Sequence, residues 1–284
     1  MDIQHRWRKS IAGLALLSLA ATTHGQQQGP DPTSTSPNGA GTFAVTSIEI
    51  SNFSTPGFGA ATIYYPNTAG SYGGIAICPG FTATRSSIAW LAQRLASFGF
   101  VTIAINTNST FDQPASRATQ LAAALNYLVN SSPTAARSRV DGSRLGVAGH
   151  SMGGGGSLQA ARSNPSLRVA MPLTPWHTTK SWSTVQVPTI IVGAENDNTA
   201  PVSSHAIPFY TSLPGSLDKA YAELNGASHF APNSTNTAIN RYTVSWAQRF
   251  LNNDLRYDPF LCGAQHQAFA TASVFSDYRS TCPY

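Results

Sequence analysis

Charge is scarce in this chain. Asp, Glu, Lys and Arg make up 10% of its 284 residues, with 17 basic against 12 acidic side chains and a formal net charge of +5. No Lys/Arg cluster occurs, so the electrostatic footprint of a nucleic-acid binder is missing. Past the N-terminal segment, no apolar run approaches the ~20 residues a membrane-spanning helix needs, and no membrane partner is expected. Cysteine is limited to three residues, too few for a disulfide scaffold. The H-E-x-x-H spacing of a catalytic zinc site is absent, and no internal repeat stands out. What is abundant is apolar: 42% of the residues are hydrophobic. Disorder would need low hydrophobicity and high net charge, and a chain of this length can bury one substantial core.

The N-terminus has a layout of its own. Arg6, Arg8 and Lys9 precede an apolar run from Ile11 to Ala21, interrupted only by Ser18. A basic head, a short apolar centre and small residues after it make a secretory signal peptide. Residues 1–25 are assigned to it, with cleavage between Ala21 and Gln26, and the protein is expected outside the cell. Removing this segment leaves a net charge of about +3. Residues 26–42, rich in Gln, Gly, Pro, Ser and Thr, read as a flexible leader. Residues 43–284 then form a single domain.

Within that domain, strand and helix signals alternate. Val45 to Ser51, Ala61 to Tyr65, Gly74 to Cys78 and Val101 to Ile105 read as strands, followed by Arg144 to Ala148, Val169 to Leu173, Thr189 to Gly193 and Ala220 to Leu224. Several are continuous apolar runs, as expected of strands buried on both faces. Ile88, Leu91, Ala92 and Leu95 recur at helical spacing ahead of Gly99, and Leu121, Ala124, Leu125 and Leu128 do so within 114–130. Further helices are expected over 151–163 and 239–252. This order predicts an α/β fold: a mainly parallel central sheet with helices on both faces. Cys78 falls inside a buried strand and reads as a small core hydrophobe.

Gly149-His150-Ser151-Met152-Gly153 matches G-x-S-x-G. The pattern alone is weak. Here a strand precedes it and a helix follows, which is the context of a nucleophile elbow. The chain reverses sharply at the serine, and the flanking glycines leave room for neighbours. The helix N-terminus favours developing negative charge. Gly153 to Gly156 is an odd helix opening, since each glycine costs about 1 kcal/mol against alanine; close packing of this helix on the sheet accounts for it.

A serine hydroxyl needs a base, and in this fold the order is Ser, acid, His. His229 is the preferred base, on a loop after the strand at 220–224, with His177 and His205 as alternatives. Asp197 is the preferred acid, delivered by the strand at 189–193, which is expected to lie beside the nucleophile strand. Glu195 is its rival, and Asp218 and Glu223 stand behind. Phe81, in the loop Pro79-Gly80-Phe81-Thr82, and Met152 are the candidate oxyanion amides.

At these residues the sequence resembles bacterial cutinases of the actinobacterial type and the related hydrolases that attack poly(ethylene terephthalate). The resemblance runs from about Phe43 to Tyr284. It rests on Cys78-Pro79-Gly80-Phe81-Thr82, on Gly149 to Gly156, and on Leu173-Thr174-Pro175-Trp176-His177. It continues through Gly193-Ala194-Glu195-Asn196-Asp197, Gly226 to Asn233 and Tyr278 to Pro283. It implies an α/β-hydrolase fold with Ser151, Asp197 and His229 as triad and the Phe81 and Met152 amides as oxyanion hole. Phe81, Trp176, His150 and Phe230 are implied as groove residues, and His205 with Phe209 as the bulky pair behind Trp176. It also implies a Cys262–Cys282 disulfide, worth roughly 3 kcal/mol in the chain-entropy account. A second disulfide found in some relatives is not expected, because Ala194 and Ala231 occupy its positions. Asn225 replaces one carboxylate of a calcium trio known in the family, so no metal is expected.

No cofactor is implied either. The short intervals between Ser151, Asp197 and His229 leave no room for a lid, so an open groove suited to extended apolar esters is expected. The expected protein is a monomeric, secreted serine esterase for polyesters and short acyl esters. A general carboxylesterase or lipase for short acylglycerols is the nearest alternative, and a catalytically dead binding scaffold a more distant one.

Overall fold

Alternation within each strand decides which helices cover which face of the sheet. In β3 (Tyr72–Cys78), Ala76 and Cys78 point into one core layer, and Ile75 and Ile77 into the other. The computed structural model describes residues 25–284, so the proposed signal sequence lies almost wholly outside the described residues. Among the described residues, nine strands form one sheet in the order β1-β2-β4-β3-β5-β6-β7-β8-β9. They are β1 (Val45–Ile50), β2 (Ala61–Pro66), β3, β4 (Phe100–Ile105), β5 (Val140–His150), β6 (Val169–Leu173), β7 (Thr189–Ala194), β8 (Lys219–Leu224) and β9 (Phe275–Ser280). From β4 across to β8 every neighbouring pair is parallel; β1, β2 and β9 supply the antiparallel edges.

Helices α1 (Ala89–Ser97) and α6 (Thr237–Trp246) pack on the face that carries Ile75 and Ile77. Helices α2 (Pro114–Asn130), α4 (Met152–Ser163) and α5 (Ala206–Ser212) pack on the other, while the short α3 (Thr134–Arg137) and α7 (Ala264–Phe269) complete the set. Ile88, Leu91, Ala92 and Leu95 are all fully buried, as their spacing predicts, and Gly99 ends α1 at a φ of 88°. Among the described residues, no domain is inserted over the C-terminal edge of the sheet.

Three features differ from the sequence reading. The strand of the acid candidate, β7, does not lie beside the nucleophile strand β5: β6 is between them. The polar strand β9 was not foreseen, because Ser-Asp-Tyr-Arg-Ser lacks an apolar run; pairing with β8 brings it in, and the Cys262–Cys282 disulfide fastens the chain on either side of it. The third concerns residues 26–42. Expected as a flexible leader, they lie as a strap against the body. Gln26 N–H donates to the Asn252 carbonyl at 2.7 Å, and Gly41 N–H to Ser97 Oγ at 2.8 Å.

The reason is a pair of buried polar residues on α6 that need partners. Asn240 Nδ2 donates to the Pro37 and Gly39 carbonyls at 2.6 and 2.9 Å. Arg241 Nη1 donates to the Ser34 carbonyl and to Asn38 Oδ1 at 2.9 and 2.8 Å. Removing residues 26–39 would leave a buried guanidinium short of acceptors, at a cost of about 3 kcal/mol. A chain lacking them is expected to melt about 5–10 °C below one that begins at Gln26. Superimposable melting curves would show that the strap adds nothing.

Candidate active site

At Ser151 the chain reverses sharply between β5 and α4. Ser151 adopts φ 56° and ψ −120°, a conformation that non-glycine residues rarely take. Three hydrogen bonds over-determine it: its N–H donates to the Leu173 carbonyl at 3.0 Å, and its carbonyl accepts from the Trp176 and Gly155 amides, both at 2.9 Å. Strain at such a position persists only because its surroundings impose it. Around it, space for side chains is lacking. A Cβ on Gly153 would collide with the Cys78 and Pro79 carbonyls, and one on Gly155 with the Trp176 carbonyl. The run of glycines therefore lets α4 press directly on the loops that shape the site.

His229 reaches the serine from the loop after β8. Its Nε2 lies 2.8 Å from Ser151 Oγ, and its Nδ1 lies 2.7 Å from Asp197 Oδ2. All three residues are buried. Asp197 accepts hydrogen bonds on both oxygens, since Oδ1 takes the amides of Thr199 and Ala200 at 2.9 and 2.6 Å. Burial by itself would raise this carboxyl. The hydrogen bonds from His229, Ala200 and Thr199 outweigh burial and hold it below the ordinary carboxylate value. Because Asp197 must accept from Nδ1, the ring carries its proton there, and Nε2 is free to accept from the serine.

The His229 carbonyl is pinned as well. It accepts from Thr174 Oγ1 at 3.1 Å and lies 3.0 Å from His150 Nε2. A carbonyl can only accept, so His150 carries its proton on Nε2, leaving a buried Nδ1 without a partner. Burial, reinforced by the nearby His229, pushes His150 down to about 4. His150 is therefore neutral at pH 7, with its Nε2 proton committed to the His229 carbonyl. On the other side stands the loop after β3: a Cβ on Gly80 would sit 3.0 Å from His150 Nδ1 and 3.1 Å from Ser151 Cβ. Phe81 follows directly. Met152 opens α4, so its amide is one of the first-turn donors with no intrahelical partner.

The remaining candidates lie elsewhere. His177 packs edge-on to Trp182 and accepts from the Thr179 amide, and burial with the Arg162 and Lys180 charges pushes it down to about 4. His205 precedes α5 and stacks on Trp176 at 6.0 Å, with Phe209 behind it. Glu195 accepts from the Gly226 amide at 2.7 Å, bracing the turn before His229. Glu223 is taken up by Tyr221 and Ser276.

The rim is aromatic and open. Phe81 and Phe230 are exposed, and Trp176 is half-buried. One rim residue escaped the sequence reading. Phe111, 64% exposed, meets Phe81 edge to face at 5.4 Å. The signal was there in Asn108-Ser109-Thr110-Phe111-Asp112, a lone aromatic in a polar loop just past the C-terminal end of a core strand. Cys78 is free, buried and raised by burial to about 11, which makes it an inert core thiol. Among the described residues, no group of His, Cys, Asp and Glu is arranged to hold a metal ion.

A serine, histidine and aspartate linked in this order, at the C-terminal edge of a parallel sheet and in the chain order Ser, Asp, His, define a serine hydrolase of the α/β-hydrolase fold. A family model described as PET hydrolase-like matches residues 20–283. The chain belongs to that family, and it is a carboxylic ester hydrolase. It is 52% identical over 280 residues to cutinase cut1 of Thermobifida fusca, covering 97% of this chain and 87% of that one. With cutinase 2 of Thermobifida cellulosilytica it shares 53% over 260 residues, covering 91% of this chain and 98% of the other. A bis(hydroxyethyl) terephthalate hydrolase of Streptomyces coelicolor is 51% identical over 261 residues, covering 91% of this chain and 82% of that protein.

Proposed function

We propose that this enzyme hydrolyses polyesters outside the cell, working as a monomer with Ser151 as nucleophile, His229 as general base and Asp197 as the residue that orients it. The observation that carries the substrate class is the rim: Phe81, Phe111, Trp176 and Phe230 surround a buried Ser-His-Asp relay with no covering domain among the described residues. Rings on the enzyme suit apolar and aromatic repeat units, and an open groove admits a chain that continues past the scissile ester at both ends. The relatives named as cutinases and as a terephthalate-ester hydrolase support the same substrate class. Export is supported by the basic-apolar N-terminus and by the Cys262–Cys282 disulfide, which belongs to an oxidising compartment.

The reaction has two half-steps. Ser151 Oγ adds to the ester carbonyl as its proton passes to His229 Nε2, and the tetrahedral oxyanion is received by the Phe81 and Met152 amides. Collapse expels the alcohol, which takes the proton from His229 and leaves an acyl-enzyme on Ser151. Water then repeats the sequence with His229 as base, and the carboxylic acid departs. Each such amide contributes about 3 kcal/mol to lowering the barrier.

The test is acid release from an amorphous aromatic polyester film, an aliphatic polyester film and a soluble nitrophenyl ester, with Ser151→Ala as control. Erosion of both films, and loss of all activity in the control, is the expected result. Cleavage of the soluble ester alone would overturn the polymer reading and leave a short-chain esterase.

A further inference from the structure

Arg117 lies in the first turn of α2 and is completely buried. Among the described residues it forms no ion pair with a carboxylate; its guanidinium donates to three backbone carbonyls, and Nη1 also lies 4.0 Å from the Cys78 sulfur. Nη1 donates to Pro79 at 3.0 Å, Nη2 to Thr110 at 2.9 Å and Nε to Asp112 at 2.7 Å. The side chain of Asp112 is committed to the Ser109 amide and to Gln120. A buried charge without a counter-charge is expensive, and a helix meeting a helix is usually served as well by an apolar residue. The acceptors explain its place here. Pro79 begins the loop that ends in Thr82, and the Thr82 amide donates at 2.9 Å to the same Thr110 carbonyl that Arg117 holds. Thr82 sits at φ 59°, a conformation that needs support from outside. The loop is thus held at its Pro79 end by Arg117 directly and at its Thr82 end through the Thr110 carbonyl that Arg117 also holds, with Gly80 and Phe81 between. The α4 glycines allow the approach: a Cβ on Gly156 would lie 2.9 Å from Arg117 Cβ, and one on Gly153 would strike the Pro79 carbonyl.

We propose that Arg117 is a positioning residue for the oxyanion hole, its planar fork setting the Pro79–Thr82 loop so that the Phe81 amide faces the reacting carbonyl, with its positive charge behind that loop. This rests on the assignment of Phe81 and Met152 as oxyanion donors. Lys keeps the charge but presents no rigid fork, and cannot span three carbonyls in one plane. Met keeps roughly the stem and loses both.

The experiment measures kcat and KM on a soluble nitrophenyl ester for the wild type, Arg117→Lys and Arg117→Met. Rates are normalised to the serines titrated by a phosphonate probe, so that misfolded material drops out. Inhibition by an arylboronic acid, which binds serine as a tetrahedral anion, is measured alongside. Displacing reacting groups by about 1 Å costs about 100-fold, so kcat is expected to fall about 10-fold in Arg117→Lys and about 100-fold in Arg117→Met. KM should be little changed and boronate affinity should weaken in step with kcat. If Arg117→Met yields no titratable enzyme, Arg117→Lys decides. Unchanged kcat per titrated serine and unchanged boronate affinity in Arg117→Lys, whatever happens to melting temperature, would reduce Arg117 to a structural residue. Failure of boronate to bind the wild type would strike instead at the oxyanion assignment beneath it.

Discussion

Replacing Asp197 with asparagine is expected to lower kcat by about 10⁴-fold while the protein folds normally. The magnitude is the one measured for the equivalent change in a serine protease; its direction follows from the hydrogen bonds around this residue. Oδ1 accepts two backbone amides, from Thr199 and Ala200, and Oδ2 accepts from His229 Nδ1. An asparagine can place only its oxygen against two N–H donors. Its NH₂ then faces His229 and forces Nδ1 to become an acceptor. The ring proton moves to Nε2, the atom that must take the serine proton, and general-base catalysis stops. Steady-state kinetics with a soluble ester would check this, together with the melting temperature. A variant within 10-fold of wild type would mean that a different carboxylate orients His229. The acid limb follows from the same contacts. Asp197 is held below its ordinary value, so its stabilising contribution is in place above that ordinary value and is lost as pH falls through the lowered folded-state value.

Gly155→Ala should damage the fold and the groove together. Alanine in a helix ordinarily gains about 1 kcal/mol over glycine. Here the added methyl would meet the Trp176 carbonyl, while Trp176 N–H is tied to the Ser151 carbonyl. Backbone on both sides has no rotamer to relieve the clash, so overpacking wins by about 3 kcal/mol. The expected fall in melting temperature is about 10 °C, with a loss of film hydrolysis as Trp176 is displaced. Gly215→Ala is the control: nothing lies within 4 Å of a Cβ there, and its melting curve should overlay that of the wild type. A Gly155→Ala enzyme that melts with the control would show that α4 can retreat from the sheet.

Legibility in the sequence followed the range of the interaction. The elbow is written in one short stretch, because strand, turn and helix are consecutive there and the glycines answer to steric limits imposed by their neighbours in the fold. Buried parallel strands announce themselves as apolar runs, and α1 by its spaced Ile88, Leu91, Ala92 and Leu95. The acid and the base were narrower matters. Asp197 and Glu195 lie two positions apart on one loop, and only the folded loop shows the first turned toward His229 and the second toward Gly226.

Other features had no local signature at all. Strand β9 is polar because it lies at the sheet edge. The strap at residues 26–42 has a leader's composition and is held by Asn240 and Arg241, some two hundred positions away. The order of strands was decided by β6 pairing between β5 and β7. Phe111 and Arg117 acquire meaning only where β4 and β3 bring two loops together. The reaction class was legible without the fold, because the serine in G-x-S-x-G and a late histidine and aspartate must be those residue types at strand ends. Which carboxylate faces His229, which rings meet at the rim and which carbonyls Arg117 holds depend on contacts between segments far apart in the chain, and only folding brings those together.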